Sequence, residues 1–164
     1  MKTAALAILL LLALPSLAAA SPWSLTDRAK VAVVDNPRFI IEPCPDDRAE
    51  ATASGCTWMT DDAPIYVRPE YANDWTVVYH ELGHRFDHEA MSPILRRAFV
   101  RARGREYRAW TRIWQERFAD SYSYCARNPE RLDTGDIGFR PYSNGLHRRL
   151  CRLIDEAGLR AGLV

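Results

Sequence analysis

The chain has 164 residues, with 22 basic and 21 acidic side chains and a formal charge of +1. So even a balance excludes a basic nucleic-acid-binding surface as its main feature, and after residue 20 no stretch is apolar enough to span a membrane. Residues 21–164 suffice for one domain with a buried core.

The first twenty residues read as a secretory signal peptide. Met1-Lys2-Thr3 is a short basic start, residues 4–14 are unbroken apolar, Pro15-Ser16 interrupts them, and Ala18-Ala19-Ala20 offers small residues ahead of Ser21. The expected location is secreted, extracellular or periplasmic, after cleavage near Ala20-Ser21. An uncleaved anchor would need a longer apolar run, so no stable membrane insertion is expected. The four cysteines, Cys44, Cys56, Cys125 and Cys151, fit an oxidising compartment and two disulfides. Three pairings are possible; pairing nearest neighbours, Cys44–Cys56 and Cys125–Cys151, keeps each bridge within one local segment.

In chain order, residues 30–34 and 38–42 are short apolar, β-branched runs separated by Asp35-Asn36-Pro37, and predict a hairpin or neighbouring strands. Residues 43–54 are small and polar, a loop pinned by Cys44 and Cys56. Residues 63–69 form another strand candidate, whose flanking prolines, Pro64 and Pro69, suit a sheet edge. Asn73 or Asp74 caps a helix over residues 75–88. Ser92-Pro93 starts a second helix that reaches Arg103, with Gly104 as its break. A longer helix covers residues 106–126 and stops before Asn128-Pro129. Residues 131–142 read as loop, and 144–157 as a last helix. Strands first and helices after give an α+β fold, a small twisted sheet followed by a helical half. Arg96, Arg97, Arg101, Arg103, Arg105, Arg108, Arg112 and Arg117 are interrupted by Glu106 and Glu116, and apolar residues recur among them at helical spacing. They read as the solvated face of helices rather than an anion-binding strip.

Chemistry concentrates in His80-Glu81-Leu82-Gly83-His84. Residues four apart share one face of a helix, so His80 and His84 aim two imidazoles at one ion. Glu81 points close to that ion without binding it and is placed to take the proton of an attacking water. A catalytic zinc needs a third protein ligand and an open position. His88 cannot supply it, lying about 12 Å along the helix axis from His80, and is assigned to packing or to the helix end. The candidate is Glu116 in Gln115-Glu116-Arg117-Phe118-Ala119-Asp120. Glu116 and Asp120 share a face, so Glu116 can ligate while Asp120 accepts a hydrogen bond from the far nitrogen of a ligand histidine. The bland alternative pairs both acids with nearby arginines such as Arg112 and Arg117.

With Glu116 and Asp120 downstream of the paired histidines, residues 65–126 resemble the catalytic core of the gluzincins, the thermolysin-like zinc metallopeptidases. The Phe118-Ala119-Asp120 segment is also similar to that of short exported bacterial proteins of metallopeptidase type. The resemblance implies a minimal zincin-like fold, Zn2+ as cofactor, Glu116 as third ligand and Asp120 as the support of a histidine. It implies an edge strand over the motif helix, here Ile65–Val67, to which an extended peptide adds. It also implies a tyrosine or histidine beyond Asp120 as oxyanion donor: His147 first, since a Cys125–Cys151 bridge would draw it toward the ligand helix, then Tyr142 and Tyr122. The chain lacks the long C-terminal helical domain of the larger gluzincins. The function expected is a secreted, monomeric zinc peptidase acting on peptide or protein substrates, with no nucleic-acid partner. Two alternatives stand beside it: a zinc-stabilised extracellular binding module, and a cell-wall peptide amidase.

Overall fold

The computed structural model describes residues 21–45, 53–132 and 143–163. The predicted signal peptide, Tyr142 and most of the loops expected at 43–54 and 131–142 lie outside the described residues. Within them the fold is α+β: five helices and a three-stranded mixed sheet. The helices are α1 (Pro22–Thr26), α2 (Trp75–Ala90), α3 (Pro93–Ala102), α4 (Arg112–Arg127) and α5 (Asn144–Ala161). The strands are β1 (Phe39–Ile40), β2 (Gly55–Thr57) and β3 (Ile65–Val67), with a 3-10 turn at Pro69–Tyr71.

Helix starts follow local chemistry. The Asp74 carboxylate accepts from Thr76 N at 2.8 Å, satisfying a donor that the first turn of α2 leaves open. Ser92 caps α3 ahead of Pro93, and Ser143 caps α5. Gly104, at φ +69°, follows α3 in the left-handed region that glycine enters without penalty. The short α1, closed by a capping box between Ser21 and Ser24, has too few residues to show a period.

Three expectations need correction. Ile65–Val67 is the central strand: the sheet order is β1-β3-β2, with β1 parallel and β2 antiparallel to β3. Pro64 and Pro69 lie just outside the strand and remove none of its ladder donors, so β3 can pair on both sides. Residues 30–34 are not a strand; Lys30 N donates to Ala126 O, and Val31 and Val34 plug the core. Finally, α4 starts at Arg112 rather than near 106, because residues 105–111 are held outside a helix by tertiary contacts. Trp110 Nε1 donates to Asp87 Oδ2 at 2.7 Å, while its ring meets Phe99 and Phe118 edge-on.

Both nearest-neighbour disulfides, Cys44–Cys56 and Cys125–Cys151, are present, with Cα separations of 6.0 and 5.3 Å. Among the described residues no helix is long and apolar enough to cross a membrane. The core lies between α2 and α4, where the rings of Phe86, Phe99, Phe118 and Tyr122 are fully buried. Phe86–Tyr122 and Phe99–Phe118 centroids are 5.1 and 5.3 Å apart, and such pairs add ~0.5–1.5 kcal/mol each beyond the area they bury.

Gly83 sets the spacing of the two helices that carry the predicted site. A Cβ there would lie 2.8 Å from Ala119 Cα and 3.1 Å from Ala119 O. Glycine facing alanine lets α2 and α4 approach almost backbone to backbone. Ser123 reaches Thr76, His80 meets Asp120, and His84 meets Glu116, so the two helices run antiparallel.

Candidate metal centre

The close approach of α2 and α4 brings three ligand-type atoms to one point. His80 Nε2 and His84 Nε2 are 3.1 Å apart. Glu116 Oε2 is 3.2 Å from the first and 3.5 Å from the second. Behind them Asp120 Oδ1 accepts from His80 Nδ1–H at 2.9 Å. That bond fixes the tautomer, leaving the neutral ring a lone pair on Nε2, aimed at the other two acceptors. Three acceptors crowded together repel unless a cation or a proton lies between them, and this triad could hold a metal ion.

The charges of the metal-free site express that tension. Burial alone would lower the His80 pKa, but hydrogen bonds to Asp120 and Glu116 and the charge of Glu81 outweigh it and raise the pKa to about 10. Hydrogen bonds from His80 and His84 hold the Glu116 carboxyl far below the usual carboxylate range.

These groups line a cleft of about 490 Å³ whose opposite wall is Ala53 to Thr57, including β2. Glu81 also lines it, on the buried side of α2 and only 6% exposed. Gly55 makes room for it: a Cβ at that position would come within 2.9 Å of Glu81 Cγ. Arg112, Thr76, Ser123 and Tyr124 complete the wall. From the sequence, Arg112 was read as part of a solvated arginine face and as a possible ion-pair partner, and Gly55, Thr76, Ser123 and Tyr124 carried no role. Gly55, a small residue inside a polar segment, was the available signal for a close approach.

Neither His147 nor Tyr122 is brought to the cleft. His147 is fully buried on α5, where Nε2–H donates to Asn128 O at 2.7 Å. Burial lowers its pKa and keeps the ring neutral. The Cys125–Cys151 bridge does hold His147, but on the core side of α4, 3.6 Å from Cys151 Sγ. Cys125, His147 and Cys151 also cluster as potential ligands, yet the sulfurs are bonded to each other and are not available as thiolates. Tyr122 is buried as well, its hydroxyl donating to Ala32 O at 2.7 Å. Tyr142 lies outside the described residues. His88 stands clear of the triad and bonds Asp61 Oδ1 at 3.0 Å.

One buried acid escaped the sequence reading. Asp87, fully buried, accepts from Arg96 Nε at 2.8 Å and from Trp110 Nε1, tying α2 to α3 and to the segment leading into α4. Burial raises its pKa, against the pull of Trp110 and Arg96. Its signal was an acid one turn past His84, among residues that must face the core.

Comparison with known protein families, curated proteins and solved structures finds no match to this chain. The class of protein therefore rests on the cleft itself: two imidazoles and a carboxylate at one point, a buried second carboxylate beside them, and a strand edge opposite.

Proposed function

We propose that the chain is a zinc-dependent peptidase acting outside the cytoplasm. The observation that carries this reading is the triangle of His80 Nε2, His84 Nε2 and Glu116 Oε2, with sides of 3.1, 3.2 and 3.5 Å. Donors at ~2.0–2.2 Å from a tetrahedral zinc are about 3.3–3.6 Å from one another, so the triangle fits one face of that tetrahedron with little adjustment. Two imidazoles and one carboxylate suit zinc far better than calcium or magnesium, which prefer oxygen donors. Three protein donors among the described residues favour a catalytic site with an open position over a structural site closed by four, which counts against the binding module. Zinc in such a site supplies Lewis acidity and makes water a nucleophile near neutral pH.

The protein groups would divide the remaining work. Glu81 takes the proton of the attacking water and passes it to the leaving amine. Asp120 fixes the His80 ring. The substrate strand pairs with β2, not with β3 as the sequence suggested. Arg68 N donates to Ser54 O across β2 and β3, and Ile65 N donates to Arg38, on the β1 side. By the alternation of an antiparallel ladder, the main-chain groups of Gly55 and Thr57 then point to the outer edge, on the wall of the cleft. An extended peptide can bond to them, main chain to main chain. The two disulfides are compatible with an extracellular location.

The test joins metal analysis to mutation. Purified protein should hold one zinc and cleave a mixed peptide library, a chelator should abolish cleavage, and added zinc should restore it. Glu81→Gln should retain the zinc and lose ~10²–10⁴-fold in activity. Full activity in metal-free protein, or in Glu81→Gln, would refute the reading.

A further inference from the structure

Addition of water to a peptide carbonyl puts negative charge on its oxygen, and a peptidase needs a preorganised donor there. Two of the residues expected to supply it, His147 and Tyr122, are buried in the core and bonded to main-chain carbonyls, and the third, Tyr142, lies outside the described residues. The other donors along the cleft are less well placed. Ser123 Oγ is directed at Thr76 O. Tyr124 packs edge-on against Trp75, at the end of the cleft away from His84. Arg112 is different. It is the one arginine or lysine among the described residues of the cleft, and it begins α4 one turn before Glu116. Its Nε lies 3.6 Å from Glu116 Oε1, while Oε2 of the same carboxylate faces the two imidazoles. The guanidinium therefore lies beside the donor triangle, next to the Glu116 oxygen that the imidazoles leave, with its side chain 74% exposed.

We propose that Arg112 is the catalytic residue that stabilises the oxyanion, an assignment that rests on the peptidase reading above. Water oxygen bonds to the scissile carbonyl carbon as Glu81 takes a proton, and the carbonyl π pair moves onto oxygen, where the guanidinium N–H groups receive the charge. The pair then returns, the C–N bond breaks, and Glu81 gives the proton to the departing nitrogen. No other reactant is required. Arginine suits the role because it stays charged throughout the range in which Glu81 is a base, and because it offers five donors in a planar fork.

The experiment compares zinc-loaded wild type with Arg112→Ala and Arg112→Lys on a fluorogenic peptide, measuring kcat, KM and zinc content. The exposed position makes folding of both variants straightforward. Arg112→Ala should lose ~10²–10³-fold in kcat with KM and zinc content unchanged. Arg112→Lys should fall between, and added guanidinium ion should restore part of the Arg112→Ala rate. A merely structural arginine would show no such rescue. An active wild type whose Arg112→Ala variant keeps its kcat overturns the assignment and leaves the peptidase reading standing. So does a variant whose lost activity is fully accounted for by lost zinc, since Arg112 would then only orient Glu116. A zinc-loaded wild type inactive on all peptides removes both.

Discussion

In Gly83→Ala a single methyl group should disturb both the fold and the metal centre. The new Cβ would sit 2.8 Å from Ala119 Cα, 3.1 Å from Ala119 O and 3.1 Å from Tyr122 Cβ. Two of these are backbone atoms and cannot swing aside, so α2 and α4 must part by roughly 0.7 Å to regain an ordinary ~3.5 Å contact. Overpacking of this kind costs ~1–3 kcal/mol, and backbone meeting backbone belongs at the upper end. Alanine recovers ~1 kcal/mol of helix propensity. The net loss is about 2 kcal/mol, a fall in Tm of roughly 5–10 °C for a domain of this size. The same separation moves Glu116 Oε2 from 3.2 and 3.5 Å toward ~4 Å from the two histidine nitrogens. Drawing the helices back together then consumes binding energy, and ~1.4 kcal/mol of it weakens zinc tenfold. The assay is a thermal melt with and without zinc, joined to zinc competition against a coloured chelator. Gly145→Ala is the control, because its Cβ would meet only Ser143 Oγ, at 3.8 Å; it should match or exceed wild-type Tm and leave affinity unchanged. Wild-type Tm and zinc affinity in Gly83→Ala would refute the packing argument.

Asp120→Asn keeps an acceptor for His80 Nδ1–H but removes its charge, and should weaken zinc binding or activity by ~10–100-fold; unchanged values would leave Asp120 without a role. His147 is neutral in the folded protein because burial lowers its pKa, so below its unfolded value of ~6.5 the unfolded chain takes a proton that the fold refuses. Stability is then intact above that pH and falls as pH drops, by at most ~1.4 kcal/mol per pH unit, and urea denaturation of His147→Gln should show a correspondingly shallower acid loss. Since the metal-free His80 is raised to about 10, zinc uptake near neutral pH should expel its proton. Calorimetry in buffers of different ionisation enthalpy would detect that release, and its absence would mean that the ring is already neutral.

What could be read from the sequence was local. Asp74 and Ser92 mark helix starts because a capping side chain acts within three residues, and the meeting of His80 with His84 follows from helical geometry alone. Tertiary choices were hidden. Residues 105–111 look helical until Trp110 is claimed by Asp87 and Phe118. Gly55-Cys56-Thr57 has no apolar run and becomes a strand only because β3 offers an unpaired edge. The placement of His147 failed for a geometric reason. Cys125 lies five residues after Asp120, which on a 3.6-residue helix is about 140° around the axis. A bridge to Cys125 therefore draws α5 to the core side of α4, not to the cleft.

The same antiparallel pair explains why this site could hold a cation. Glu81, Glu116 and Asp120 place three carboxyl groups around two imidazoles, and all five side chains line one cleft. In the metal-free chain the proton on His80 offsets part of that charge. Because the folded pKa is raised, this stabilisation is complete below the unfolded value of ~6.5 and is lost as pH rises through about 10. Above that the cluster loses the His80 charge and keeps its carboxylates unbalanced, which would push α2 and α4 apart where Gly83 and Ala119 hold them closest. A bound dication makes the same electrostatic contribution without dependence on a histidine proton. The contact that permits the ligands to meet and the charge that keeps them together thus have different sources. Gly83 provides the first, and a proton on His80, or under the peptidase reading a bound cation, provides the second.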